Sequence, residues 1–331
     1  MTNQLKLSEQ QWFKTPAIVS TALFLGVIAI SFGAIFIRWS EYELSPIATV
    51  FNRFWLGSVV FGLWHSGLTI RQWFWGDKSV QQEAYTRQDF LLLLGAGTFF
   101  AASLVLVAWS LTQTSVAIST VLHNLAPIFT SLGAWLLFSV GFNRQFLIGM
   151  VIATGGAIAI ELDQLGGATN NLLGDVAAII SAVFLAAYLL VVEQLRTKFT
   201  PMTIQLWICA IATVVLFPIV LLSGDKFFPS TFGGWLAVIS FSLVCQVLGH
   251  GLLIYSLEKL SSVVVSLFHL LEPVFAGVFA FVIFSEKLSF SHWVGFAVVL
   301  IGLYLVVSSQ AAVHSSQKRR SGSRSIFINI C

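Results

Sequence analysis

Long apolar stretches separated by short polar breaks run along the chain. Ten stand out: Ala17–Ile37, Pro46–His65, Phe90–Leu111, Val116–Ser139, Phe146–Glu161, Asp175–Leu195, Thr203–Leu222, Trp235–Leu257, Ser262–Phe284 and Phe290–Ser308. About 20 mainly apolar residues in helical conformation cross a bilayer's hydrocarbon core. Runs such as VLFPIVLL and LAAYLLVV lack the period-two alternation of barrel strands. A helix, by contrast, satisfies its own backbone in lipid. The pattern therefore predicts an all-α integral membrane protein with ten transmembrane helices. The first stretch exceeds the 7–15 apolar residues of a signal-peptide core and reads as a retained helix. Polar connections are short except for Ser66–Asp89. Trp39, Trp64, Trp235 and Trp293 fall near predicted span ends, where amphipathic rings favour the interface.

The halves of the chain repeat each other. Thr120–Ser139 (TVLHNLAPIFTSLGAWLLFS) lies over Ser266–Ser285 (SLFHLLEPVFAGVFAFVIFS) at an offset of 146 residues. That offset carries His123 onto His269, Pro127 onto Pro273, Gly149 onto Gly295 and Gly156 onto Gly302. Earlier in each half the offset is 155, which sets Pro46 on Pro201. The register changes only inside the long loop, as a true repeat requires. Five spans per half make the second copy enter the membrane upside down, the inverted-repeat architecture of many carriers. The expected organisation is a cytoplasmic segment 1–16, a five-helix repeat 17–161, a connecting loop 162–174, a second repeat 175–308 and a basic cytoplasmic tail 309–331. The tail's composition gives no reason to expect order.

Charge adds orientation. Only 9% of the 331 residues are charged and 57% are hydrophobic, against about 25% charged in soluble domains. With ten spans, 13 of the 17 Lys and Arg fall on the side of the termini and three (Arg38, Lys226, Lys287) on the other. Both termini are expected in the cytoplasm, in the cell membrane. A net charge of +3 without a basic stripe gives no case for nucleic acid. Cys209, Cys245 and Cys331 have no spacing suited to a metal or a disulfide framework, and two of them read as small packing residues.

Ser45-Pro46 followed by an in-helix Arg53, the Pro-bearing fourth helices, and the stretch HLLEPVFAGVFAFVIFSEKLSFSHWVGFAVVLIGLYLVV (His269–Val307) carry a family resemblance. The chain resembles the drug/metabolite transporter superfamily, specifically its EamA-type ten-helix carriers, over 17–308. The resemblance implies movement of small metabolites, often amino acids and often outward. It also implies a cavity surrounded by the first four helices of each half. The first half departs from the second: Ala126 stands where Glu272 stands, and Val140-Gly141 where Glu286-Lys287 stand.

Polar groups at membrane depth are costly and usually face a cavity or a partner. Glu272 lies deep in its predicted helix. Desolvation there favours the neutral carboxyl, which would let it exchange protons near neutral pH. His269, three residues earlier, shares its face, and Ser262 and Ser266 continue the stripe. Thr120, His123, Asn124 and Pro127 form an i, i+3, i+4, i+7 stripe; Asn124 both donates and accepts. Gln246 and His250 share a face of the eighth helix and read as a second cavity wall. Each set has a plain alternative in interhelical hydrogen bonding. Pro127 and Pro273 are helix-kink candidates. Arg53 is expected to snorkel to the headgroups, with a substrate carboxylate as its alternative partner.

The function expected is secondary export of small metabolites by alternating access, with proton coupling through Glu272 as an option. A nucleotide-sugar or sugar-phosphate antiporter needs several cavity cations, and Arg53 is the one strong intramembrane cation in the sequence. A non-transporting sensor is the further alternative. H-E-x-x-H and G-x-S-x-G are absent from the sequence, so no enzyme, cofactor or metal is expected. The expected partners are a small-molecule solute, membrane lipid and, under coupling, protons; a homodimer stays open.

Overall fold

The structure is a computed structural model and describes residues 18–75, 85–114, 116–162, 171–284 and 290–328. Segment 1–16, most of the connecting loop 162–174 and the Glu286-Lys287 pair lie outside the described residues. Every regular element among those described is helical. The helices are α1 (Ile18–Ser40), α2 (Pro46–Trp75), α3 (Arg87–Gln113), α4 (Ile118–Phe138), α5 (Arg144–Leu162), α6 (Leu172–Leu195), α7 (Pro201–Ser223), α8 (Phe232–Ser256), α9 (Ser262–Ile283) and α10 (Phe290–Ile328). Among the described residues nine helices are long and apolar enough to cross a membrane, and α5 holds a shorter apolar helix, Arg144–Ile160. The backbone of α10 continues to Ile328, beyond the stretch the composition marks as ordered. Extending a helix already anchored in lipid avoids the nucleation penalty an isolated tail would meet.

Helix starts follow from local chemistry. Pro46 and Pro201 both open helices, where their missing N–H is no loss. The residue before each caps the first turn: Ser45 Oγ accepts from Ala48 N (3.2 Å) and Thr200 Oγ1 from Thr203 N (3.3 Å). Thr86 and Asp89 form a reciprocal capping box at α3.

The helices pack most closely as α5 with α10, α3 with α6, and α2 with α7. Small residues permit this, as packing between helices in lipid requires. Gly26 lies on the Gly249 carbonyl across the α1–α8 contact, and Ser103 Oγ donates to the Ser181 carbonyl (2.8 Å) across the α3–α6 contact. The exterior is the reverse of a soluble protein's: Leu63, Leu136, Leu137, Val151, Leu221 and Leu222 are exposed, and hydrocarbon is the solvent that suits them.

Three helices break where polar residues collect. Pro127 ends the first part of α4 at His123, with turn residues Asn124 and Leu125 before Ala126–Phe138 resumes. Pro273 follows a 3₁₀ turn over His269–Leu271 in α9. The mechanism is common to both: a proline lacks its N–H, and its ring crowds the carbonyl four residues earlier, here of His123 and of His269. In α8 the backbone widens into a π-helix over Phe241–His250, a rare form that concentrates at functional sites.

Candidate functional site

The breaks in α4 and α9 face each other. His123, Asn124 and Pro127 from α4, Leu185 and Leu189 from α6, and Ser266, His269 and Glu272 from α9 line a crevice of about 20 Å³, room for a single water. His123 Nδ1 lies 2.7 Å from Ser181 Oγ on α6. His269 Nδ1 lies 3.7 Å from Glu272 Oε2. The Nδ2 amide of Asn124 is buried without a hydrogen-bond partner among the described residues.

Glu272 lines the crevice, and its side chain is 42% exposed. Thr120 stands one helical turn before His123 and does not line the crevice. Ser262 and Ser266 are buried; the Ser262 backbone N–H donates to Glu193 (3.0 Å) and Ser266 Oγ to the Val263 carbonyl (2.8 Å).

Arg53 corrects the sequence reading most. It does not snorkel: the residue is 6% exposed and turns inward toward α8. Nε donates to Gln246 Oε1 (2.8 Å), and Nη2 lies 3.0 Å from His250 Nδ1. The π segment makes this possible by presenting Gln246 and His250 to α2 together. Gln246 Nε2 in turn donates to Gln205 Oε1 on α7 (3.1 Å). The rings of Phe241, Phe54 and Phe100 stand 4.9, 5.8 and 5.8 Å from the guanidinium carbon, a cation–π environment. Gln246 and His250 are thus ligands of Arg53 and not a second wall of the crevice.

Two polar centres result, one around Arg53 and one at the helix breaks. They meet where the His250 and His269 rings stand 6.4 Å apart. Phe100 lies against His250 (5.0 Å) and stacks on Tyr188 of α6 (4.4 Å, 11°). The Tyr188 hydroxyl is buried without a hydrogen-bond partner among the described residues. Gln205, Phe100 and Tyr188 escaped the sequence reading. A Gln or Tyr among apolar residues carried a signal; Phe100, in a run of apolar residues, carried none. Among the described residues, no three His, Cys, Asp or Glu side chains converge as metal ligands.

Polar contacts also tie the loops. Between α1 and α2, Glu43 accepts from the backbone N–H of Ser230 (2.8 Å) and Thr231 (3.1 Å) and from the Thr231 hydroxyl. Ser45 donates to Asp225 (2.6 Å). At the other ends of the helices, Arg196 donates to Glu258 (2.7 Å) and to the carbonyls of Ile254 (2.9 Å) and Phe199 (2.5 Å).

Comparison with known proteins is consistent in kind. The profile of the EamA-like transporter family matches residues 18–162 and 172–308. A protein named uncharacterized transporter from Archaeoglobus fulgidus is 26% identical over 286 residues, covering 83% of this chain and 92% of its own. The uncharacterized transporter YetK of Bacillus subtilis is 24% identical, covering 68% and 70%. A chloroplastic WAT1-related protein of Arabidopsis thaliana is 24% identical, covering 60% and 50%. A solved crystal structure, described simply as that of a protein, superposes with a TM-score of 0.70 at 15% identity, covering 87% of this chain and 96% of that one.

Proposed function

Since this chain belongs to the EamA-like transporter family and is a multi-pass integral membrane protein, we propose that it is a secondary carrier that exports small metabolites by alternating access. The observation that carries the reading is the pair of proline breaks in α4 and α9. They set His123, Asn124, His269 and Glu272 around one crevice deep in the helix bundle. Unpaired backbone at membrane depth is tolerated where it lines a cavity, and carriers use such discontinuous helices for their sites.

The architecture proposed is ten spans in two inverted repeats, 17–161 and 175–308, with both termini cytoplasmic in the cell membrane. Two pairs of contacts support it. A β-carbon at Gly149 would lie 2.8 Å from the Gly302 carbonyl oxygen, and one at Gly295 would lie 3.2 Å from that of Gly156. The 146-residue offset exchanges these two contacts. The offsets 155 and 146 likewise carry Gly26 onto Ser181 and Ser103 onto Gly249, so the α1–α8 and α3–α6 contacts are counterparts. In this scheme the Glu43 and Ser45 contacts lie on the outer side and the Arg196 contacts on the inner side. Rocking between halves opens one side at a time.

Glu272, with His269 beside it, is the proposed coupling group. The test compares metabolites in the medium of cells expressing wild type, Glu272→Gln or no transporter. Selective accumulation with wild type, lost in the mutant at equal expression, is expected. No difference among the three would remove the export reading.

A further inference from the structure

Arg53 is a buried cation without an ion pair among the described residues. Among the described residues no carboxylate lies within ion-pair distance of it, and its Nη1 makes no hydrogen bond. Its neutral ligands are incompletely committed. His250 Nδ1 lies 2.9 Å from the Cys245 carbonyl as well as 3.0 Å from Arg53 Nη2. One ring nitrogen cannot both donate to that carbonyl and accept from the guanidinium. With Nδ1–H given to that carbonyl, the ring offers Arg53 Nη2 its Nε2 at 3.5 Å, so Gln246 Oε1, at 2.8 Å, is the firmest acceptor of Arg53 among the described residues.

The surroundings hold further unspent polarity. The Tyr188 hydroxyl is buried with no partner and belongs to the same stack, Tyr188 on Phe100 and Phe100 on His250. Asn124 Nδ2, also unpartnered, lies across the crevice from His269, whose ring neighbours His250. A buried charge left uncompensated is strongly unfavourable, and buried polar groups are otherwise nearly always satisfied. A buried cation in no ion pair, with one guanidinium nitrogen uncommitted, beside two unpartnered polar groups describes a site whose missing component accepts hydrogen bonds and carries negative charge.

We propose that the missing component is the carboxylate of the transported solute, held by the fork of Arg53 and by the Tyr188 hydroxyl. This rests on the carrier reading of the same cluster. Guanidinium and carboxylate match in bidentate geometry and in charge. One cation neutralises one carboxylate, whereas a phosphate dianion would leave excess negative charge close to Glu272. The solutes selected are monocarboxylates, and their neutral amides are rejected.

The test measures thermal unfolding of the purified full chain in detergent. The probes are short monocarboxylates from acetate to benzoate, the amide of each, and inorganic phosphate. In wild type, saturable stabilisation by at least one carboxylate but by neither its amide nor phosphate is expected. Arg53→Met replaces the cation with an apolar chain of similar length and is expected to weaken that carboxylate on the order of 100-fold or more. Tyr188→Phe removes an unpartnered hydroxyl and is expected to weaken it about 5-fold; this variant carries the test should Arg53→Met fail to fold. Equal stabilisation by the amides or by phosphate would overturn the proposal. So would a carboxylate effect that survives in Arg53→Met, or no carboxylate effect in wild type. The outcome is separable from the carrier reading. Carboxylate binding by a chain that moves nothing removes the carrier and leaves the anion site. Flux of uncharged solutes, insensitive to Arg53, does the reverse.

Discussion

Gly149 on α5 faces Gly302 on α10 so closely that a β-carbon at Gly149 would lie 2.8 Å from the Gly302 carbonyl oxygen and 2.9 Å from the Val306 nitrogen. Backbone atoms cannot swing aside as a side chain can. Gly149→Leu is therefore expected to force α5 and α10 apart and destabilise the fold by about 1–3 kcal/mol. Gly155 is the control on the same helix, since nothing lies within 4 Å of its β-position. Gly155→Ala should be neutral or stabilising by up to about 1 kcal/mol. Thermal unfolding in detergent separates the two; equal loss in both would remove the close-packing argument.

Gln246 gives Arg53 its firmest hydrogen bond, at 2.8 Å. Gln246→Leu strands a buried guanidinium and also frees Gln205. The expected loss is about 1.5–3 kcal/mol, the scale of a hydrogen bond to a charged group. In Arg53→Met, Gln246→Leu should cost less, because the charge it serves is gone. A double-mutant cycle on unfolding midpoints measures that coupling.

Arg196 and Glu258 should differ sharply although they form one ion pair. The Arg196 side chain is 5% exposed and that of Glu258 46%. Glu258→Gln removes a solvent-screened charge and should cost under about 1 kcal/mol. Arg196→Met removes the donor of the Phe199 carbonyl, while the Ile254 carbonyl keeps the Leu257 backbone N–H (3.2 Å), and should cost about 1–3 kcal/mol for the group left unsatisfied. Comparable losses in the two variants would contradict this division.

Glu43 sets a pH dependence. The Thr231 hydroxyl and the Ser230 backbone N–H hold its carboxyl down at about 2, against an ordinary 4.5. A carboxylate more acidic when folded contributes stability that is full above the unfolded value and fades as pH falls toward the folded one. The loop contact should thus hold at pH 5 and above and weaken between about 4.5 and 2. Hydrogen exchange of the Ser230 and Thr231 amides across that range would register it. Glu43→Gln should flatten the dependence.

Much of the helix layout was readable because the bilayer demands about 20 apolar residues per crossing, so the boundaries of α6 and α9 could be placed within a few residues, whereas α2 starts at Pro46 as expected but runs ten residues past His65, to Trp75. Pro127 and Pro273 could be located but their effect on neighbours had to be seen: each disturbs the carbonyl four residues back, and both times that residue is a histidine. The fate of Arg53 was not readable. An arginine seven residues into a helix can reach headgroups or turn inward, and the choice depends on what α8 presents across the gap. Gln246 and His250 reach it through a π backbone that no spacing rule anticipates. Tyr188 and Phe100 resembled lipid-facing or packing residues because their significance lies in stacking across helices distant in sequence.

The widened turn of α8 is, in effect, a dislocation in an otherwise regular lattice. Each π turn stores surplus chain between Phe241 and His250 that an α-helix of the same span would not hold. Were it to tighten to α geometry, every residue beyond it would rotate about the axis by roughly 100° per residue taken up, from 3.6 residues per turn. Gln246 and His250 would leave Arg53 together, and Leu253 and Ile254, buried in the bundle, would turn away from it. The defect therefore acts as a register lock: deleting one residue from this segment should scramble the far end of α8 more than exchanging any single side chain within it.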